Sequence, residues 1–419
     1  MKKNLLLLLA AALFFTACQK DDDNSSAQLD DELGIAIEAA GGISSFQLPD
    51  SDDLDQIPQD PKNPLTPAKV ALGKLLFHES ALAIAPMKDL ATGTYSCASC
   101  HFARAGFQAG RFQGIGEGGV GFGINGEGRN RNNMYQEEEL DSQPIRSPSA
   151  MNVAYQKNVL WNGALGATGV NVGTEASWTA GTPLENNHLG YEGLETQAIA
   201  AITVHRMGVD MDVLEPLGYK ERFDMVFSDF PEDQRYSTET AGLAIAAYER
   251  VLLANRAPFQ KWLKGEHNAM TNDEKRGAIL FFDKAKCVSC HNGPSLAAMD
   301  FYAIGLKDLI DCPEEVFRVS EDGKERKGRG GFTGNPADDY KYKVPQLYNL
   351  ADSPFYGHGS NFTSIRAILE YKNNGVAENS EVPASQLAEE FKPLGLSSDE
   401  LDDLTAFISN ALHDDQLMR

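Results

Sequence analysis

The chain has 419 residues and a formal net charge of −23 at pH 7, a length that fits two or three ordinary domains. A composition of 42% hydrophobic and 23% charged residues is that of a globular protein. The acidic balance argues against nucleic acid as a partner and favours a basic one, because opposite fields steer encounter.

The chain opens with Lys2 and Lys3, the apolar run Leu5–Phe15 and then Thr16-Ala17-Cys18. This reads as a secretory signal over 1–17, too short to be a stable membrane span. Small residues before a cysteine resemble a bacterial lipoprotein processing site, with Phe15 where Leu is usual. The mature chain would then begin at a lipidated Cys18, exported and held in the cell envelope at the outer membrane. Gln19-Lys20-Asp21-Asp22-Asp23 is either a solvated linker or resembles the surface-export signal of Bacteroidetes lipoproteins. Residues 18–65 are polar, acidic and punctuated by proline, and read as a tether with one helix at Asp30–Ala40. Folded protein begins near Thr66, which reads as an N-cap with Pro67 at the first helical position and a helix over Ala68–Phe77.

Next comes Cys97-Ala98-Ser99-Cys100-His101, repeated as Cys287-Val288-Ser289-Cys290-His291. This is the Cys-x-x-Cys-His spacing of c-type haem attachment. Two thiols add across the two vinyl groups of one haem, and the adjacent histidine ligates the iron. With six Cys and eight His in the chain, a shuffled sequence would give roughly 0.002 matches to this pattern. A redox Cys-x-x-Cys pair does not need the histidine, and half of a zinc site would carry it by accident. Two covalent haems are therefore expected, on Cys97, Cys100, Cys287 and Cys290, with His101 and His291 on the irons. Cys312 is left as a lone thiol, and no disulfide framework is implied.

Beyond the first motif, the glycine-rich stretch Gly106–Gly128 does not follow a strand. It reads as a long mobile loop rather than a nucleotide loop. Pro148–Trp161 leads into a second irregular segment, Gly163–Gly193. Helices are predicted at Leu194–Val204, Tyr219–Phe227 and Thr238–Ala254, with Pro258 just beyond. Thr271 caps a helix over Glu274–Phe282 with acids in its first turn, and that helix delivers the second motif. A charged loop, Lys324–Asp339, precedes closing helices at Ser364–Asn373 and Ser398–Leu412. The expected fold is mainly α: two cytochrome c-like helical haem domains, 66–258 and 259–419, with long irregular loops.

Several stretches together resemble the bacterial di-haem cytochrome c peroxidase family, which includes the MauG-type enzymes. They are Leu72-Gly73-Lys74-Leu75-Leu76-Phe77, Pro148-Ser149-Ala150-Met151-Asn152-Val153-Ala154, Leu160-Trp161-Asn162-Gly163, Lys343-Val344-Pro345-Gln346-Leu347-Tyr348-Asn349 and Ser353-Pro354-Phe355-Tyr356. The resemblance implies a peroxide-binding haem on His101 and an electron-accepting haem on His291. Trp161 matches the tryptophan between them, although an isolated Trp is usually core packing. Electrons would come from a small basic c-type cytochrome or a similar donor. Rival readings are a MauG-like oxidase of a protein or aromatic substrate, and a plain electron-transfer cytochrome. Family members often hold an interdomain calcium and form homodimers; no ligand cluster in the sequence specifies either.

Peroxide cleavage needs a group that carries a proton from one oxygen to the other and a donor for the departing oxygen. The family supplies these with a Gln and a Glu. Gln197 matches the Gln, but His205-Arg206-Met207 stands where the Glu falls. His205 would be the acid–base group and Arg206 the charge stabiliser, unless both are ordinary polar residues at a helix end. For the second ligand of the His291 haem, counting from Pro354 reaches Tyr371, and counting from the following helix reaches Lys372. Classical members lock the first haem with a histidine in the glycine-rich loop. None lies between His101 and His188 here, and Glu117 falls in its place. The first haem is expected open or water-ligated, unless His188 or His205 folds over it.

Overall fold

A computed structural model describes residues 25–417; the signal segment, Cys18 and Gln19–Asp23 lie outside the described residues. The segment expected as a tether is folded from residue 25 on. A helix over residues 25–39 (α1) buries Leu33 and Ile37, four apart and so on one face. Phe46, Leu48 and Ile57 follow into the core. Asp30 pairs with the buried Lys275 at 2.7 Å and accepts from Trp262 Nε1 at 2.7 Å. Gln260 Nε2 donates to Phe46 O, and Leu48 N donates to Gln260 Oε1. Further on, Asp60 accepts from Glu192 N, and Arg250 donates to Pro58 O. The segment is thus a strap across both halves. Its acidic composition concealed the few apolar residues that bind it down.

Capping places the remaining helices. Thr66 accepts from Lys69 N at the start of α2 (Pro67–His78). Helix α3 spans Gly193–Val204, and α4, opened by a Ser237–Thr240 capping box, spans Thr238–Arg250. α4 stops short of the expected Ala254 because Asn152 takes the next backbone groups. Its N–H donates to Leu252 O, and its Oδ1 accepts from Ala254 N. Pro258 begins α5 (Pro258–Leu263). Thr271 and Glu274 close a capping box on α6 (Asn272–Phe282). α7 spans Ile365–Asn374, and α8 (Ser398–Ala406) runs into a wide turn at Phe407–Ala411. Strands are few, as expected. Two short antiparallel ribbons pair Gly119–Val120 with Asn130–Arg131 and Phe301–Tyr302 with Tyr342–Lys343.

The two halves are built alike. α2 and α3 pack on α4, and α6 packs on α8. At each main crossing a glycine lets backbones touch. A Cβ on Gly73 would lie 1.8 Å from Ala244 O, and one on Gly277 would lie 2.0 Å from Asp403 O. After each motif the chain repeats one path. Pro148, Asn152 and the Val159–Leu165 bridge recur as Pro345, Asn349 and the Tyr356–Phe362 bridge, each offset by 197 residues (345 − 148). Asn152 and Asn349 both take left-handed backbone, at φ 54° and 53°. One buried apolar cluster runs through both halves, from Leu72 and Phe77 to Phe281 and Phe407.

Candidate functional site

Each Cys-x-x-Cys-His motif is a single tight turn; the first packs against α2, and the second follows closely on α6. In the first, His101 N donates to Cys97 O at 3.0 Å; in the second, His291 N donates to Cys287 O at 2.9 Å. Both imidazoles are then fixed the same way. His101 Nδ1 meets Phe107 O at 3.1 Å, and His291 Nδ1 meets Leu296 O at 3.1 Å. A carbonyl only accepts, so Nδ1 carries the proton and Nε2 keeps its lone pair for a metal. Burial favours the neutral ring, lowering the pKa of His101 and bringing that of His291 to about 4.

The second motif opens on a cavity of about 650 Å³, within the ordinary range for a bound organic group. Cys287, Cys290 and His291 line it, as do Ile365, Leu369 and Lys372. Lys343, on its wall, is buried with Gln156 Oε1 as its hydrogen-bond partner and no carboxylate beside it. Burial alone brings its pKa to about 7. A haem fits this lining: thiols and an imidazole on one side, apolar walls, and a buried amine for an acidic edge.

The two sites share a wall. Phe107, whose carbonyl holds His101, is followed by Gln108, which lines the second cavity. Pro148 also lines that cavity, and its backbone faces His101. The same strip ends in Trp161. Its Nε1 donates to Arg146 O at 2.7 Å, and its ring meets His358 edge-on at 6.1 Å. Trp161 therefore lines the second cavity and is not in remote core.

Beside the first motif lies a polar cluster, only part of which is legible along the chain. His205, closing α3, sets Nδ1 against the Asp141 carboxylate at 2.9 Å. Burial opposes its charge, but Asp141 outweighs burial and raises its pKa. His205 is near enough for its charge to act on His101. Arg206 pairs with the fully buried Glu117 at 2.5 Å and also donates to Glu139 O. Gln197, Ala201, Val204 and His205 form a half-buried stripe on α3 among buried neighbours. Asp141 gave no signal in the sequence, since a lone carboxylate between loops has no pattern.

Two expectations change, on the glycine-rich stretch and on Tyr371. The glycine-rich stretch is a folded unit. Glu117 within it accepts from Met87 N, Lys88 N and Tyr135 Oη besides Arg206, and buried Arg129 binds Ile115 O and Gly116 O. Glu117 is thus fully engaged and is no stand-in for a locking ligand. His188 is turned to Trp178 O at 3.1 Å. Tyr371 does not line the cavity: its hydroxyl donates to Ile304 O, and its ring packs between Phe362 and Phe391. One residue on, Lys372 does line it.

Among the described residues no cluster of three or more His, Cys, Asp or Glu is arranged to hold a metal ion. The junction has its own cation, Arg146, 1% exposed. It donates to Gln108 Oε1, Arg111 O and Ala109 O from the first half and to Ser353 Oγ and Ser360 Oγ from the second. Burial brings its pKa to about 9, so it is charged at pH 7.

A duplicated helical frame with two Cys-x-x-Cys-His sites is the pattern of a di-haem c-type protein. Residues 67–268 match the family model of the di-haem cytochrome c peroxidases. The chain is 29% identical over 363 residues to the methylamine utilization protein MauG of Methylorubrum extorquens, covering 84% of this chain and 81% of that one. It is 28% identical over 393 residues to cytochrome-c peroxidase IdrP1 of Denitromonas iodatirespirans, covering 89% and 88%. Among solved structures, the fold matches a MauG-like protein associated with microbial copper homeostasis, with a TM-score of 0.61 at 21% identity, over 89% of this chain and 96% of that one.

Proposed function

We propose that this protein reduces hydrogen peroxide to water, taking two electrons and two protons per peroxide. The observation that carries the reading is the shared wall. Two identically wired histidines lie close to the strip of Gln108 and Pro148, and beside His101 stands His205 held by Asp141. When bound, haem on His101 supplies the iron for peroxide and haem on His291 the entry point for electrons. His205, oriented by Asp141, moves the proton between the peroxide oxygens through its free Nε2. Arg206 is engaged by Glu117, so its part is to close the glycine-rich unit over the polar cluster. Gln197, on the same face of α3, is a hydrogen-bond donor to the bound oxygens. Trp161 carries electrons across the shared wall.

Electrons come from a small basic c-type cytochrome steered by the acidic molecule. The cavity rim carries both signs, Lys284, Lys286 and Lys392 against Glu389 and Glu390, so steering arises from the whole-molecule field. Export and anchoring through Cys18 would place the enzyme in the envelope. No helix among the described residues is long and apolar enough to cross a membrane.

Steady-state peroxide turnover with a panel of reduced donors tests the activity. Rapid turnover with a reduced cytochrome c supports it. Single-turnover reaction without turnover on any donor would shift the reading to a MauG-like oxidation of a protein or aromatic substrate. With Glu117 and His188 both committed elsewhere, the ferric protein is expected to show one high-spin haem by electron paramagnetic resonance and to react without prior reduction. Two low-spin haems and inertness until half-reduction would refute the open site.

A further inference from the structure

Among the described residues, the cavity around His291 contains one half-buried amine without a partner; Lys286 and Lys392, also on its lining, are exposed. Along α7, Ile365, Ile368, Leu369 and Lys372 line the cavity. They stand at i, i+3, i+4 and i+7, which is one face of a helix. Lys372 is half-buried at the end of that stripe and makes no hydrogen bond or ion pair among the described residues. A half-buried ammonium without a partner is unusual, because losing water without gaining an acceptor is costly. Lys372 is also close enough for its charge to act on His291 and on Cys287 and Cys290.

Four other candidate donors on the wall are taken. His358 Nε2 binds Asp308 at 3.0 Å, and Tyr342 Oη donates to the same carboxylate. Tyr356 Oη donates to Leu350 O, and Lys343 binds Gln156. No methionine lines the cavity. Tyr371 stands one residue, about 100° of helix, away from the stripe.

We propose that the ε-amine of Lys372 is the second axial ligand of the iron held by His291. This rests on the di-haem reading above. The nitrogen lone pair forms the bond to iron, and the proton of the former ammonium leaves to solvent. A strong-field nitrogen on each face makes this site six-coordinate and low-spin. It closes the iron to peroxide, so electrons enter here while peroxide reacts at the His101 site.

The test uses the mature holoprotein. Pyridine haemochrome first establishes two haem c per chain; failure at that step sinks the di-haem reading itself. With two haems present, near-infrared magnetic circular dichroism of the ferric protein should show a low-spin site with two nitrogen ligands. K372A should lose that low-spin signal, gain a high-spin one and recover the first on adding methylamine. K372M should acquire the sulfur-to-iron band of thioether ligation. Y371F should leave the spectrum unchanged. A phenolate-to-iron band in the unmodified protein, a spectral loss in Y371F, or a K372A spectrum identical to the parent would overturn the proposal. The parent spectrum and Y371F decide the matter even where a Lys372 variant fails to fold.

Discussion

His205 and Glu249 show how burial sets single residues to different ends. His205 keeps a free Nε2 because Asp141 occupies Nδ1. Replacing it by Gln removes the proton carrier but keeps the shape, and the bimolecular rate with peroxide should fall by about 10²–10³-fold. Stopped-flow mixing measures this, and an unchanged rate would assign His205 to packing alone. Glu249 is 6% exposed, its Oε2 has no partner, and burial raises its pKa from 4.5 to about 8. Below the unfolded value both states hold the proton. Between the two values only the unfolded state releases it, so stability falls with rising pH, by at most about 1.4 kcal/mol per unit. E249Q should flatten the fall in Tm between pH 5 and pH 8. An equal fall in parent and variant would show that another group sets it.

At the scale of elements, α1 is held by charge as much as by apolar contact. Lys275 has a fully buried side chain whose partners are Asp30 at 2.7 Å and Ser26 Oγ at 2.8 Å. D30A strands that charge and should cost about 3 kcal/mol in a urea titration. D30N keeps an acceptor for Trp262 Nε1 and should cost less. Were the segment a mere tether, neither change would move the midpoint. The strap also explains why α5 is so short and yet so buried. Phe259, Gln260 and Trp262 are each covered, in part by Phe46, Leu48 and Asp30 from residues far earlier in the chain.

The whole molecule is two copies of one unit clamped by Arg146. Because the guanidinium draws oxygens from both halves, the junction is charged without a metal ion. Chelator treatment is therefore expected to leave Tm and peroxide turnover unchanged, with no calcium found by elemental analysis of the dialysed protein. A drop in Tm on chelation, restored by calcium, would show a cation site besides Arg146. R146Q, which leaves its buried acceptors half-satisfied, should lower Tm by several degrees.

The two motifs, the duplicated haem frame and most helices were legible along the chain, because each is local. Cys-x-x-Cys-His is fixed by the width of one porphyrin edge, and helix starts at Thr66, Ser237 and Thr271 are fixed by caps a few residues long. Trp161 and His205 were found through their neighbours in sequence. What the tertiary structure decided is everything that needs two distant segments to meet. Asp141 meets His205 across 64 residues, Arg146 meets Ser353 across 207, and Asp30 meets Trp262 across 232. Phase on α7 belongs to the same class. Counting along the chain leaves Tyr371 and Lys372 one residue apart, whereas on a helix that residue is a turn of about 100°, and only the packed cavity shows which of the two faces it.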